Sequence, residues 1–528
     1  MIHRRKSISS SGGFPSPMKR CSIASLSSTS IDEEDSECVH GSFLERIRNM
    51  FCFDALNLQS TAVRNATMKK DHSSVSYISH YGNVVCFTDK YHYTASELEP
   101  YRLVGDLEMD RLLSQTKNVG AFDDIIAVSA AAYRDPTSDE TSKHLAEFYR
   151  HYEEVPTWVD FDQLQRGIDV FLAYLPAAGC SLYYRSLVGG FSIPVIVEVL
   201  KSTRYLISDR KKTLERLIDT GGLLAACFAP TINGPSAASL RPGGQGWMAA
   251  LRVRVLHAKV RRRLLQKRCT SDDGHSVRLW DVEKNGIPIN QEDMVGTLLA
   301  FSVNVLMGIE IFAGQPLPAK EQIDYLALWR YIGWLLGVDT PESEHLSSNC
   351  DTSATQSLPP LDPCGPSILH AYASLDSIIL HILHPKPSSC DLVKHLLSVR
   401  GSFAFRAEVC RSLLGAPLAD DLGLPKSCCW QGWRVDAVQI FVLNCLLKVA
   451  VYTFLICFRF YTLLTMSCPW FKTKATVWHG ELQRQFLHKW EEGHSSRMSA
   501  AYNDKTASTN VSKRSSSCPF SMVMPPQI

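Results

Sequence analysis

The sequence predicts an all-α protein, a multi-helix bundle with disordered N- and C-terminal tails. Three observations lead there. Beyond residue 95, apolar residues recur at mixed three- and four-residue spacing through most of the chain. Strand-like alternation is scarce, and Val84–Phe87 is its best example. The run Met294–Phe312 is apolar on nearly all sides, with Asn304 and Glu310 as exceptions. A helix of that kind sits in the centre of a bundle or in a membrane.

The elements follow in order. Residues 1–40 are Ser-rich and then acidic, too polar to fold alone. The region 1–95 is therefore read as largely disordered. Arg4-Arg5-Lys6-Ser7 is either a basophilic phosphorylation motif or a solvated tail. The helical domain is expected over 96–430, with helices near 106–116, 121–133, 138–152, 160–174, 192–206, 210–228, 246–267, 291–313, 319–336, 366–384 and 390–400. Asn290 followed by Asp293 reads as a helix start, and Gly314, Pro316 and Pro318 as a stop. Residues 339–365 and 384–389 are loops rich in Ser and Pro. The segment 431–470 contains a long apolar stretch, 437–466, interrupted by Lys448 and Arg459. Its length suits a membrane-embedded or interfacial helix, and equally a buried core helix. Residues 471–528 form a C-terminal tail, read as disordered from 498.

Composition narrows the function classes. Of 528 residues, 45% are hydrophobic and 20% charged, as in a globular protein with a sizeable core. A formal net charge of +2 argues against a nucleic-acid partner. The 17 cysteines include no CxxC pair, and reduced thiols in an intracellular protein are expected. The start has no apolar stretch behind its positive charges, so it does not read as a secretory signal. No Walker A loop, HExxH, GxSxG or kinase signature occurs.

The residues that could carry chemistry lie in four places. His257 stands on a helix behind a glycine-rich entry, with Arg254 and Arg261 on its face and Arg252 and Arg262 flanking. Histidine is the usual neutral nitrogen ligand for iron, and arginines neutralise haem propionates. The same stretch also fits a basic helix with an ordinary core histidine. Arg216 and Thr220 lie four apart and can face one pocket, or belong to a surface pattern with Glu215 and Asp219. Glu198 sits in the apolar run Ile193–Leu200, where a desolvated carboxylate would suit general-base work and a paired one would be structural. His381 and His384 are three apart, with His370 about three turns earlier, a spacing on which two histidines could share a metal.

These clusters occur in a familiar order. Pro156-Thr-Trp158-Val-Asp160, Arg166-Gly167 and Phe171 come first, then Ser186-Leu-Val-Gly-Gly190-Phe and the Arg216…Thr220 pair. Leu251–Arg261 around His257, Asp293-Met-Val-Gly296-Thr through Phe301, and Tyr331–Asp339 complete the series. From about Pro156 to Pro425 the chain resembles the rubber oxygenases (latex-clearing proteins) and the fungal ER-bound oxygenases of the mycophenolate pathway. The resemblance implies an all-helical catalytic domain binding haem b, with His257 as proximal iron ligand and Arg254 and Arg261 beside the cofactor. It implies Arg216 and Thr220 near the haem and Glu198 as the catalytic carboxylate. The implied reaction is an O2-dependent oxidation of a hydrophobic, isoprenoid or lipid-like substrate, at or near an endoplasmic reticulum membrane. A non-catalytic haem-binding protein or a membrane-associated helical scaffold is the alternative. Rubber-cleaving members place a lysine on the distal iron face; the corresponding position here is Asp219.

Overall fold

The computed structural model describes residues 75–78, 84–87, 92–116, 124–135, 139–203, 209–231, 234–270, 276–278, 280–341, 358–365, 367–425 and 437–508. The expectations for residues 1–74, including the Arg4–Ser7 motif, and for 509–528 lie outside them.

The short strands β1 (Val75–Ile78) and β2 (Val84–Phe87) pair antiparallel, with Val75 opposite Phe87. Helices follow: α1 (Ala95–Leu98), α2 (Leu107–Gln115), α3 (Ile125–Arg134), α4 (Glu140–Glu153) and α5 (Phe161–Ala173). A continuous stretch, α6 (Leu175–Gly190), is π-helical over Ser181–Leu187 and meets α7 (Pro194–Ser202) at a 91° bend. Next come α8 (Arg210–Phe228) and α9 (Gln245–Gln266). The ribbon β3 (Arg268–Thr270) and β4 (Ser276–Arg278) separates these from α10 (Val282–Asn285), α11 (Gln291–Phe301), α12 (Val303–Ala313) and α13 (Ala319–Leu335). The chain closes with α14 (Ile368–Ile382), α15 (Pro387–Ser398), α16 (Phe403–Leu414), α17 (Ala416–Asp421), α18 (Ala437–Ser467) and α19 (Pro469–Ser508). The described residues therefore form an all-α fold with two minor ribbons.

Aspartates start many of the helices. Asp106, Asp124, Asp139, Asp160 and Asp209 each accept from a backbone N–H two or three residues on. They satisfy amides that helix geometry leaves without partners. Asn290 does the same for α11, accepting from the Asp293 amide at 2.8 Å, and Gly314 ends α12 at φ 74.

The expected single helix over 291–313 is broken at Ser302. Its hydroxyl bonds back to the Leu298 carbonyl at 2.9 Å, a local competitor for helix hydrogen bonding. Both halves are enclosed by protein, so this run is the bundle centre. The buried Asn304 is satisfied by Arg185 (2.6 Å), and Ser181 donates to the Asn304 carbonyl at 2.8 Å. The 469–508 region also departs from expectation. It is one long helix through Ser508, packed on α5 and α8, because Trp490 and Leu487 supply an apolar face. Eight cysteines among the described residues are free thiols.

α5 and α13 pack closely where Gly167 faces α13. A side chain there would press on the Asp324 carbonyl and lie 2.9 Å from Leu328 Cβ. Gly167→Ala is expected to destabilise the fold by about 1–3 kcal/mol, read as a lower urea midpoint at unchanged slope.

Candidate functional site

The site is built on α9. Its glycine entry is a close-approach device: a Cβ on Gly246 would stand 2.8 Å from the Cys227 Cα and 2.9 Å from the Ala226 carbonyl oxygen. The start of α9 thus lies against the end of α8, and the two helices run back along one another. Arg216 is ten residues before Ala226, and His257 is eleven after Gly246. At 1.5 Å per residue, both stand about 15 Å from that contact, at a similar height on adjoining helices.

Arg252, Arg254 and Arg261 of the comb are paired inside the fold, while Arg262 is exposed. Arg252 Nη2 pairs with Asp124 Oδ2 at 2.7 Å, at the N-cap of α3. Arg254 is buried, with Nε 2.6 Å and Nη2 2.8 Å from the two Asp106 oxygens, and Nη2 also 2.8 Å from Glu108 Oε2. Its Nη1 donates to the Tyr152 hydroxyl, which itself donates to Glu108 at 2.6 Å. Gly337 (φ 89) closes this cluster, for a Cβ there would meet Arg254 Nε at 2.7 Å. Arg261 Nε bonds Asp110 at 2.7 Å and Nη1 bonds the Ile289 carbonyl at 2.7 Å. Arg262 donates to the Leu113 carbonyl. Four arginines of one helix thereby clamp α2 and α3.

Between Arg254 and Arg261 stands His257. Burial, with Arg261 repulsion second, pushes its pKa down to about 4, so the imidazole is neutral at physiological pH. Its Nδ1 is buried without a hydrogen-bond partner, and so is Arg261 Nη2. As a residue His257 is half-buried, and protein packs densely around its ring. A neutral imidazole with an unpaired nitrogen, one turn from an unpaired guanidinium nitrogen, has the chemistry to hold a metal-centred group bearing a carboxylate. His257 and Arg261 therefore fit the expected cofactor. Arg254 does not, because carboxylates and Tyr152 already fill its donors.

The other expected residues are placed differently. Glu198 on α7 is not desolvated: its side chain is 40% exposed and pairs with Lys201 at 3.4 Å. The cause is the turn at Pro194, which swings a short helix outward so that its apolar sequence does not enclose the carboxylate. Arg216 is half-buried, whereas Thr220 is exposed and donates to the Arg216 carbonyl at 3.2 Å. Asp219 is buried and accepts from Trp490 Nε1 at 3.2 Å. His370 bonds the Leu361 carbonyl and His381 meets His92; among the described residues, no group of three or more His, Cys, Asp and Glu could hold a metal ion.

Local sequence reading missed the acid partners. Asp106, Glu108 and Asp110 line up along α2 as Arg254 and Arg261 line up along α9. The signal was that Asp106 and Asp110, four apart, and Arg254 and Arg261, seven apart, each repeat on one helical face. It also missed a buried pair at the start of α11. Burial pushes the carboxyl of Glu292 up to about 8 and that of Asp293 up to about 7.

Two outcomes test this electrostatic frame. Arg254→Ala leaves Asp106 and Glu108 without their cation and is expected to cost about 3–5 kcal/mol in chemical denaturation. The second concerns pH. Native Glu292 keeps a proton that the unfolded chain releases, so its stabilisation is full below about 4.5 and is lost as pH rises through about 8. Glu292→Gln cannot ionise, so its Tm relative to the parent protein should rise between pH 5 and pH 9. His257 works in the opposite sense, contributing fully above about 6.5 and losing that stabilisation as pH falls through about 4.

Comparison with known proteins then places the chain. Residues 172–442 match the family model described as ER-bound oxygenase mpaB/B'/Rubber oxygenase, catalytic domain. That span holds Glu198, Arg216, Thr220, Arg254, His257 and Arg261. No curated protein matches the chain. A solved structure titled "Structure of Latex Clearing Protein LCP in the closed state" is similar over 78% of this chain and 94% of that chain, at 20% identity and a TM-score of 0.45. The family model covers just over half of the sequence, and the chain belongs to the ER-bound oxygenase/rubber oxygenase catalytic-domain family.

Proposed function

We propose that this oxygenase-family protein binds haem b through His257 and uses O2 to oxidise a hydrophobic, isoprenoid or lipid-like substrate at an intracellular membrane. The observation that carries the proposal is the state of His257: neutral, enclosed and with an unpaired ring nitrogen, inside the matched span. Haem b supplies the oxygen redox chemistry that no side chain can perform.

The chain's own residues do the rest. Asp106 and Glu108, through Arg254, fix α9 one turn from His257 and so hold the imidazole in place. Arg261 offers its remaining Nη2 to a carboxylate of the cofactor, and Asp110 fixes the guanidinium from the other side. Arg216, level with His257 on the neighbouring helix, offers a second cation. Thr220 lies one turn further along α8, with a hydroxyl able to turn from its own helix to a polar group of the substrate. Glu198 is the candidate base, its Oε1 taking a proton from the substrate while Lys201 Nζ, 3.4 Å away, supports the carboxylate.

The test is spectroscopic and then kinetic. Protein supplied with haem is expected to show a Soret band at one haem per chain, and His257→Ala to abolish it while the far-UV spectrum stays helical. No Soret band in the parent protein would end the haem reading. Glu198→Gln should keep the Soret band and lower O2 consumption with a polyprenoid by about 100-fold or more. Unchanged turnover removes Glu198 from the reaction.

A further inference from the structure

Among the described residues, most of the large apolar side chains that the fold leaves exposed belong to α18 and α19. Leu446, Val449, Phe460, Trp470, Val477 and Trp478 are each more than half exposed, from Phe460 at 57% to Trp470 at 68%. On α18 they follow one stripe with Val442 and Thr453, at steps of three, four and seven residues. The other side of the same helix belongs to the body. Leu447, Val451 and Leu455 join the core, and Phe454 packs edge-on against Phe405 of α16 with 5.5 Å between ring centres. α19 sits in the same way: His479 Nδ1 lies 2.6 Å from the Leu172 carbonyl oxygen, while Trp470, Val477 and Trp478 are exposed. Tyr461 of α18 donates to the neighbouring Ala173 carbonyl at 3.1 Å and touches Phe471 and His479 of α19. Both helices thus rest on the same end of α5, and their outward sides adjoin.

Charge says what covers this surface. Between Ala437 and Gly480 there is no Asp or Glu; the charged side chains are Lys448, Arg459, Lys472 and Lys474. Arg459 is buried and Lys472 pairs with Glu321 at 2.6 Å, so the outward charges are the exposed Lys448 and Lys474. A second copy docked on the same face would bring lysine against lysine with no acid between them. An anionic bilayer supplies the complement: headgroup phosphates and carboxylates for the lysines, acyl chains for the apolar stripe. Trp470 and Trp478 suit that boundary, because an indole is apolar over its rings and polar at its N–H.

The packing also sets how deep the contact goes. α16, on which α18 rests, carries Arg406, Glu408 and Arg411, and such charges are costly in hydrocarbon. With its inner side held by that helix, α18 meets lipid along its flank and does not cross the bilayer.

We propose that the outward face of α18 and the start of α19 is a docking surface for an anionic phospholipid bilayer, lying at the headgroup boundary without spanning it. This rests on the membrane association proposed above and assigns the face that makes it. It is independent of haem binding, which the Soret band reads separately.

Flotation of the full chain tests the surface, with vesicles of phosphatidylcholine alone and of phosphatidylcholine with about 30% phosphatidylserine. The parent protein is expected to float with the anionic vesicles. Leu446→Asp/Trp478→Asp should lower the floating fraction about tenfold or more with an unchanged far-UV spectrum. Lys448→Gln/Lys474→Gln should weaken binding to the anionic vesicles about tenfold and leave binding to phosphatidylcholine alone unchanged. A parent protein that floats with neither overturns this surface and the membrane association together. Either double variant floating like the parent overturns this surface and leaves membrane association standing. A lipid-free dimer that Leu446→Asp/Trp478→Asp dissociates overturns it in favour of a second copy. The native thiols give a reading without substitution. Cys445 and Cys457 are exposed on α18 beside the stripe, and their labelling by a water-soluble maleimide should fall about tenfold when anionic vesicles are added. Unchanged labelling of both overturns the contact. Bound protein should also transfer to an excess of fresh vesicles; protein that stays where it first bound overturns the boundary position in favour of a span.

Discussion

The buried contact of Arg254 with Asp106 and Glu108 is the interaction on which the rest depends. It joins α9 to the N-cap of α2, and through Tyr152 to α4. Gly337, lacking a side chain, lets the turn after α13 lie against the same cluster, and Gln291 bonds the Gly337 carbonyl at 2.9 Å. Three helices and one turn thus converge on a single guanidinium. Ion pairs of this kind contribute little net stability over a well-packed apolar alternative. Their value is registry, because an unmatched buried charge is costly and a helix slipped by one turn would leave three charges unmatched. His257, one turn along α9, inherits that fixed position.

The second arginine extends the frame to α11. Arg261 holds the carbonyl of Ile289, whose φ of 54 is unusual for a β-branched residue. That strained turn presents Asn290 as cap and sets Glu292 and Asp293 in the first turn of α11. Acids at a helix start are favoured by the dipole, yet here burial outweighs it and both carboxyls stay protonated more readily than usual. Asp110, Arg261, the Ile289 turn and the buried acids form one chain of contacts. It links the bundle's central helix to the helix that carries the histidine.

Much of this was legible in the sequence, and the failures have physical causes. Helix positions followed from periodicity and Asp caps, which are local signals. His257 stood out because of its arginines, but the pattern could not tell solvated arginines from paired ones. Arg254 and Asp106 are 148 residues apart, and their meeting is a tertiary fact. The desolvated reading of Glu198 gave way to the paired one for a related reason. An apolar neighbourhood in sequence is an apolar neighbourhood in space only if the helix is enclosed, and the bend before Pro194 leaves α7 half outside. The π-helical turn at Ser181–Leu187 left no periodic trace. It lies beside Gly190, where a Cβ would meet nothing within 4 Å, an open space within a segment that carried the family resemblance.

Asp219 stands at the position where the sequence resemblance expects a distal lysine. It is not a lysine replaced by a free acid in a pocket. Its carboxylate is engaged by Trp490, and the adjoining Gly221 and Gly222 leave room for Phe486 and Trp490 to settle on α8. A side chain at Gly222 would occupy the Trp490 ring position, so the glycine and the tryptophan are matched features of α8 and α19. A lysine at 219 would bring a cation to the indole N–H and lose an acceptor, so the substitution and the docking of the C-terminal helix belong together. α8, which packs against α9, is thereby also covered by α19.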